Sequence, residues 1–89
     1  MITTPITIIN KLGLHARAAA KLSGLASSFS SQIQIEKSGR CVDCKSIMAV
    51  MMLAASKGTE VILHIEGADE VQAHEALTTL INNRFDEPE

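Results

Sequence analysis

The sequence predicts an α+β domain of two layers, its strands and helices following one another as βαββαβα with the helices on one face of a sheet. Strand-like alternation such as Gln32-Ile33-Gln34-Ile35-Glu36 gives way repeatedly to apolar residues spaced by three and four, such as Ala73, Leu77, Leu80 and Ile81. A chain of 89 residues, moreover, has room for one hydrophobic core, because a domain of this size buries only roughly 60 to 65% of its unfolded surface. Four strands and three helices in that length can satisfy burial only as two layers, and no linker, repeat or low-complexity stretch divides them, so residues 1–89 form a single domain.

Ile2, Pro5, Ile6, Ile8 and Ile9, mixed with Thr3, Thr4 and Thr7, predict a first strand ending near Asn10, and Lys11-Leu12-Gly13-Leu14 is then a loop. From Ala16 good helix formers take over, with Ala19, Leu22, Leu25 or Ala26 and Phe29 on one face, until the serine-rich residues 27–31. Gln32 to Glu36 is a half-buried strand, and Lys37-Ser38-Gly39-Arg40 turns it into a short strand around Cys41 to Asp43. Ser46 is a natural N-cap for the Met- and Ala-rich residues 47–54, a short helix closing near Lys57-Gly58. Glu60 to Glu66 sets Val61, Leu63 and Ile65 on one side and Ile62 and His64 on the other, a fourth strand that stops at Gly67. Asp69 caps the last helix, and an acidic tail, Asp86-Glu87-Pro88-Glu89, finishes the chain.

With 46% hydrophobic residues but only two Phe and no Trp or Tyr, the core must be aliphatic. A net charge of -2 and the scarcity of aromatic rings give neither an electrostatic footprint nor stacking platforms for nucleic acid, so no nucleic-acid partner is expected. Met-Ile-Thr-Thr-Pro lacks the basic start and apolar stretch of a secretory signal, and no apolar run approaches the ~20 residues that cross a bilayer. The expectation is a cytoplasmic protein with no membrane insertion. Cys41 and Cys44 have CxxC spacing without a second pair and in a strand-like setting, which favours two reduced thiols. The rival, a Cys41/Cys44 metal or thiol-redox domain, predicts tight zinc binding or a reversible disulfide, but two ligands leave a tetrahedral zinc site half filled. His64 and His74 have no partner at metal-ligand spacing and are assigned no chemistry.

Gly13-Leu14-His15-Ala16-Arg17 sets a histidine between a glycine-containing loop and a helix, where first-turn N–H groups lack intrahelical partners and, with the helix dipole, attract anions. A neutral imidazole nitrogen is a good nucleophile toward phosphorus, and the positive helix end both disfavours imidazolium and stabilises a phosphorylated product. Arg17 can offer paired donors to phosphoryl oxygens, and Gly13 allows backbone angles and close approaches closed to other residues. On spacing alone His15 reads more simply as an N-cap or loop histidine, since single histidines at helix starts are common.

Beyond local physics, Asn10-Lys11-Leu12-Gly13-Leu14-His15-Ala16-Arg17-Ala18-Ala19 closely resembles the active-site signature of the histidine-containing phosphocarrier (HPr) family of the bacterial phosphotransferase system. Lys45-Ser46-Ile47-Met48-Ala49-Val50-Met51-Met52-Leu53 is similar to the family's second motif, and Ala55-Ser56-Lys57-Gly58-Thr59-Glu60-Val61 continues the likeness over essentially the whole chain. The resemblance implies an open-faced β-sandwich with a four-stranded antiparallel sheet and three helices on one face. It implies that His15 accepts a phosphoryl group on Nδ1 from enzyme I, charged by phosphoenolpyruvate, and passes it to an enzyme IIA-type acceptor. Arg17 and the amides of Ala16 and Arg17 would hold the phosphoryl oxygens. The protein would then be a stoichiometric, monomeric carrier rather than an enzyme, with no metal or cofactor; the alternative is a regulatory module that binds partners according to its phosphorylation state.

Ser46 matches the position at which some family members are phosphorylated by a dedicated serine kinase, although a cap alone accounts for a serine there. Ile47, Met48 and Met51 fit an apolar patch that docks enzyme I and acceptors, with core packing as the plainer alternative. The C-terminal Leu80-Ile81-Asn82-Asn83-Arg84-Phe85-Asp86-Glu87 is more similar to NPr, the nitrogen-branch relative, than to sugar-branch members. Ala18 stands where the family usually has Pro, which restores an N–H in the first turn and frees φ.

Overall fold

A computed structural model describes residues 1–89 and realises the alternating segments as β1 (Ile2–Thr7), β2 (Gln32–Lys37), β3 (Arg40–Asp43) and β4 (Glu60–Glu66). They form one sheet in the order β1-β4-β2-β3 with every neighbouring pair antiparallel. The register puts Ile33 opposite Ile65 and Ile35 opposite Leu63, so the apolar residue of each alternating pair falls on one face. There Ile6, Ile33, Ile35, Val61, Leu63 and Ile65 are buried under α1 (Ala16–Ser27), α2 (Ile47–Met52) and α3 (Glu70–Asn82). The helices present Ala18, Ala19, Leu22 and Ala26, then Val50, then Ala73, Leu77 and Ile81 to that face. The other face of the sheet is uncovered, and no helix is long and apolar enough to cross a membrane.

Four sequence expectations need correction, each for a tertiary reason. The first strand ends at Thr7 rather than near Asn10, because β4 begins at Glu60 and Thr7 is its last partner. Ile8 stays fully buried and is tied instead to the loop before β4, donating to Thr59 O at 2.9 Å and accepting from Gly58 N–H at 2.7 Å.

Ser46 caps α2 as expected, its hydroxyl accepting Ala49 N–H at 3.3 Å, but the helix stops at Met52, well short of Gly58. Ala54 turns left-handed with φ 53°. The Lys37 ammonium donates to Leu53 O at 3.0 Å and to Ala54 O at 3.1 Å, a cation on the carbonyls that the helix end leaves free.

Asp69 occupies the N-cap position of α3 without capping it. Its carboxylate accepts Ser30 N–H and Ser31 N–H, each at 2.9 Å, and the Ser31 hydroxyl, tying the entry of β2 to the start of α3. These bonds, the Ser31 hydroxyl foremost, hold the Asp69 carboxyl down at about 2.

The residues read as an acidic tail are folded back. Arg84, Phe85 and Asp86 form a left-handed turn with φ of 56°, 54° and 63°, and the Phe85 ring is fully buried. The Lys21 ammonium donates to Phe85 O at 2.8 Å, fastening the turn to α1.

Candidate functional site

The loop between β1 and α1 is shaped by Asn10 and Gly13. Asn10 is fully buried; its side-chain amide donates to Gly13 O at 2.8 Å while Gly13 N–H donates to Asn10 O at 3.2 Å, closing a tight turn. Gly13 has φ 66°, and a Cβ there would lie 2.5 Å from Ala55 O and 2.8 Å from Ser56 Cα, so only glycine fits. Leu14 is buried and donates its N–H to Ala55 O at 2.8 Å, which anchors the loop to the segment after α2.

This arrangement delivers His15 to the N-cap of α1 in an extended conformation, φ −74° and ψ 178°, with no capping bond from its side chain. Its carbonyl accepts Ala19 N–H at 2.8 Å as the first bond of the helix. The amides of Ala16, Arg17 and Ala18 therefore have no backbone partner, and three donors stand beside an imidazole that is 28% exposed. Arg17 is exposed on the same rim.

The Glu87 carboxylate reaches this ring from the opposite end of the chain. Its Oε2 bonds His15 Nε2 and its Oε1 accepts the Asn10 side-chain amide at 3.0 Å. Burial pushes the Glu87 carboxyl up, but the bonds from Asn10 and His15 and the charges of His15 and Arg17 outweigh it, so the net shift is downward and Glu87 is a carboxylate. A carboxylate only accepts, so Nε2 carries a proton toward Glu87, and Nδ1 has no hydrogen-bond partner. The tail is held in place by Lys11 N–H donating to Glu89 O at 2.8 Å and by the Lys11–Glu89 ion pair at 3.4 Å. His15, Ala16, Arg17 and Lys11 line an open depression whose far wall is Glu87, Pro88 and Glu89.

Of the other sequence candidates, α2 buries only Val50; Ile47, Met48 and Met51 are 44%, 67% and 37% exposed, and Met52 and Leu12 join them at the surface. Cys41 and Cys44 lie in opposite environments. Cys41 is exposed, whereas Cys44 is fully buried, its thiol pushed up to about 12 by burial first and by Asp43 second, which suits neither metal ligation nor thiol exchange. His74 shares a hydrogen bond with the Thr4 hydroxyl at 3.0 Å, away from the site. Sequence reasoning assigned no role to Glu87, which is 72 residues from the histidine it contacts, or to the side chain of Asn10, which it placed in the signature only as the residue ending the first strand.

The site is that of an open-faced α+β sandwich that presents one histidine at the start of its first helix. A family model described as "PTS HPr component phosphorylation site" matches residues 2–83. The chain is 62% identical over 85 residues to phosphocarrier protein HPr of Pseudomonas aeruginosa, covering 94% of each. It is 57% identical over 89 residues to phosphocarrier protein HPr of Cupriavidus necator, covering 100% of both. Its fold matches the crystal structure of HPr-C-His from Thermoanaerobacter tengcongensis with a TM-score of 0.96 at 48% identity, 100% of each chain being covered. The chain thus belongs to the HPr family, the phosphocarriers of the phosphotransferase system.

Proposed function

We propose that His15 is the phosphoryl acceptor, that phospho-enzyme I is the donor, and that an enzyme IIA-type protein takes the group onward. The observation that carries this reading is the division of labour on the imidazole, Nε2 bound to Glu87 and Nδ1 unpartnered beside the free amides of α1. The Nδ1 lone pair attacks phosphorus; the Nδ1–P bond forms as the bond to the donor breaks, and the proton on Nε2 stays where it is. The ring then carries positive charge, which the Glu87 carboxylate opposes. Arg17 and the amides of Ala16 and Arg17 receive the phosphoryl oxygens. The same steps in reverse release the group to the acceptor.

The exposed apolar surface of Ile47, Met48 and Met51 lies on α2, which packs against α1, and we assign it the docking of both partner proteins. Backbone amide shifts on titration with enzyme I that spare α2 would remove this assignment. Ser46 keeps the role of cap; a phosphate on it after incubation with a serine kinase would add a regulatory one. The carrier is proposed to act as a monomer in the cytoplasm, and size-exclusion chromatography with light scattering checks the first of these.

The test of the whole reading is incubation with phosphoenolpyruvate and enzyme I of either the sugar or the nitrogen branch, following intact mass for an acid-labile adduct. The adduct is expected to be absent in His15→Ala, and the faster donor names the branch, where the C-terminal likeness to NPr favours nitrogen. No adduct with either donor would refute the carrier chemistry at His15.

A further inference from the structure

The uncovered face of the sheet carries a second cluster of chemically active side chains. Strand alternation puts Glu36, Cys41 and His64 there together. Glu36 of β2 is directly opposite Cys41 of β3, and His64 of β4, whose own partner on β2 is Gln34, lies on the diagonal. A thiol sulfur, an imidazole nitrogen and a carboxylate oxygen from these three residues all lie within 4.8 Å of one another. His64 Nε2 and Glu36 Oε1 share a hydrogen bond of 2.8 Å.

We propose that Glu36, Cys41 and His64 form a binding site for a zinc-like divalent transition-metal ion, separate from the phosphoryl site. Sulfur, imidazole nitrogen and carboxylate oxygen are the ligand types such ions take, at about 2.0 to 2.3 Å. Those bond lengths set neighbouring ligands of a tetrahedron about 3.5 Å apart; the cluster lies within 4.8 Å, and the His64–Glu36 pair at 2.8 Å would open to admit the ion as the thiol draws in. One carboxylate among softer ligands does not suit magnesium or calcium, which take shells of oxygen. A thiolate and a carboxylate together neutralise the doubly charged ion, and the thiol proton leaves to solvent as the metal–sulfur bond forms.

The surroundings fit a ligand set. All three residues sit on strands in register within one sheet, and β2 is paired on both sides, so their backbones are fixed before any ion arrives. On ligation the ring changes tautomer: Nε2, which now donates to Glu36, gives up its proton to take the metal, and Nδ1 takes up a proton that it donates to the Thr3 hydroxyl 3.4 Å away, the outer partner that orients the ring. Gln34 Oε1, which accepts the Cys41 thiol at 3.6 Å, offers a further oxygen at the open position; water can fill it otherwise. Cys44 is not part of this site, since it is buried in the core.

The experiment is a titration of the reduced full-length protein with cobalt(II), read by its thiolate charge-transfer absorption, and with zinc(II) against a chromogenic chelator. One equivalent should bind with a thiolate band. Cys41→Ser and His64→Ala should each weaken binding by at least about 10- to 100-fold, the loss that changing even an outer-shell partner causes. Both side chains are solvent-accessible, and circular dichroism checks that the variants stay folded. His15→Ala and Cys44→Ala should bind as the parent does. Absence of the band, an affinity unchanged by Cys41→Ser, or an affinity lost in His15→Ala or Cys44→Ala would overturn the proposal.

Discussion

Glu87 meets one nitrogen of His15 and Asn10 meets Glu87, so the ring is oriented through two side chains that never touch the incoming phosphorus. Glu87→Gln keeps the size of the side chain but removes the negative charge opposite the ring. Phosphoryl acceptance from enzyme I should slow about tenfold, the kinetic equivalent of one weakened charge-assisted hydrogen bond. Rapid-quench kinetics checks this, and an unchanged rate would strip Glu87 of its positioning role. At Ala18, whose amide has no backbone partner, proline removes no hydrogen bond of the fold. Ala18→Pro should therefore leave phosphotransfer intact and shift stability by no more than about 1 kcal/mol, measured by urea unfolding; a collapse of transfer would count against the start of α1 at Ala16. His15 and Arg17 stood out as candidates because a glycine loop, a helix start and a cation fall within five consecutive residues, and the likeness of Asn10 to Ala19 to the family signature, not the spacing, raised them above an ordinary helix start. Glu87 was not, because its approach depends on where the last helix ends.

Helix ends mark the limit of local reading among the elements. Ser46 signals the start of α2 through its own side chain, but the helix ends at Met52 and the chain turns away at Ala54, a residue that does not favour φ 53° and is held there by Lys37 from the neighbouring hairpin. The turn after α3 is the stronger case. Three consecutive L-residues adopt positive φ, at about 1 to 2 kcal/mol each, with no glycine to announce it. Burial of the Phe85 ring and the bond from Lys21 offset that cost. Phe85→Ala should therefore destabilise the protein by about 3 kcal/mol and free the tail, so that the His15 ring loses its Glu87 contact. Denaturant unfolding together with imidazole nitrogen chemical shifts measures both effects, and a loss below about 1 kcal/mol would show that the turn is not anchored by this ring.

Asp69 joins two parts of the whole molecule, the entry of β2 and the start of α3, and it does so as an anion. Its carboxyl is lowered from an ordinary 3.8 to about 2, so the stabilisation it supplies is complete above the ordinary value and is lost as pH falls through about 2. The parent should be more stable than Asp69→Asn at neutral pH, with the gap closing between pH 4 and pH 2; thermal melts across that range check it, and a constant gap would mean the anion is not what matters. The sequence by itself determined the order of strands and helices, the apolar face of each and the histidine at the head of α1, because alternation, helical spacing and a short motif are written within a few residues. Only the tertiary structure decided that Glu87 returns to His15 and that Glu36, Cys41 and His64 share one open face. Those meetings depend on chain reversal and strand register, and both are set by burial of the whole core.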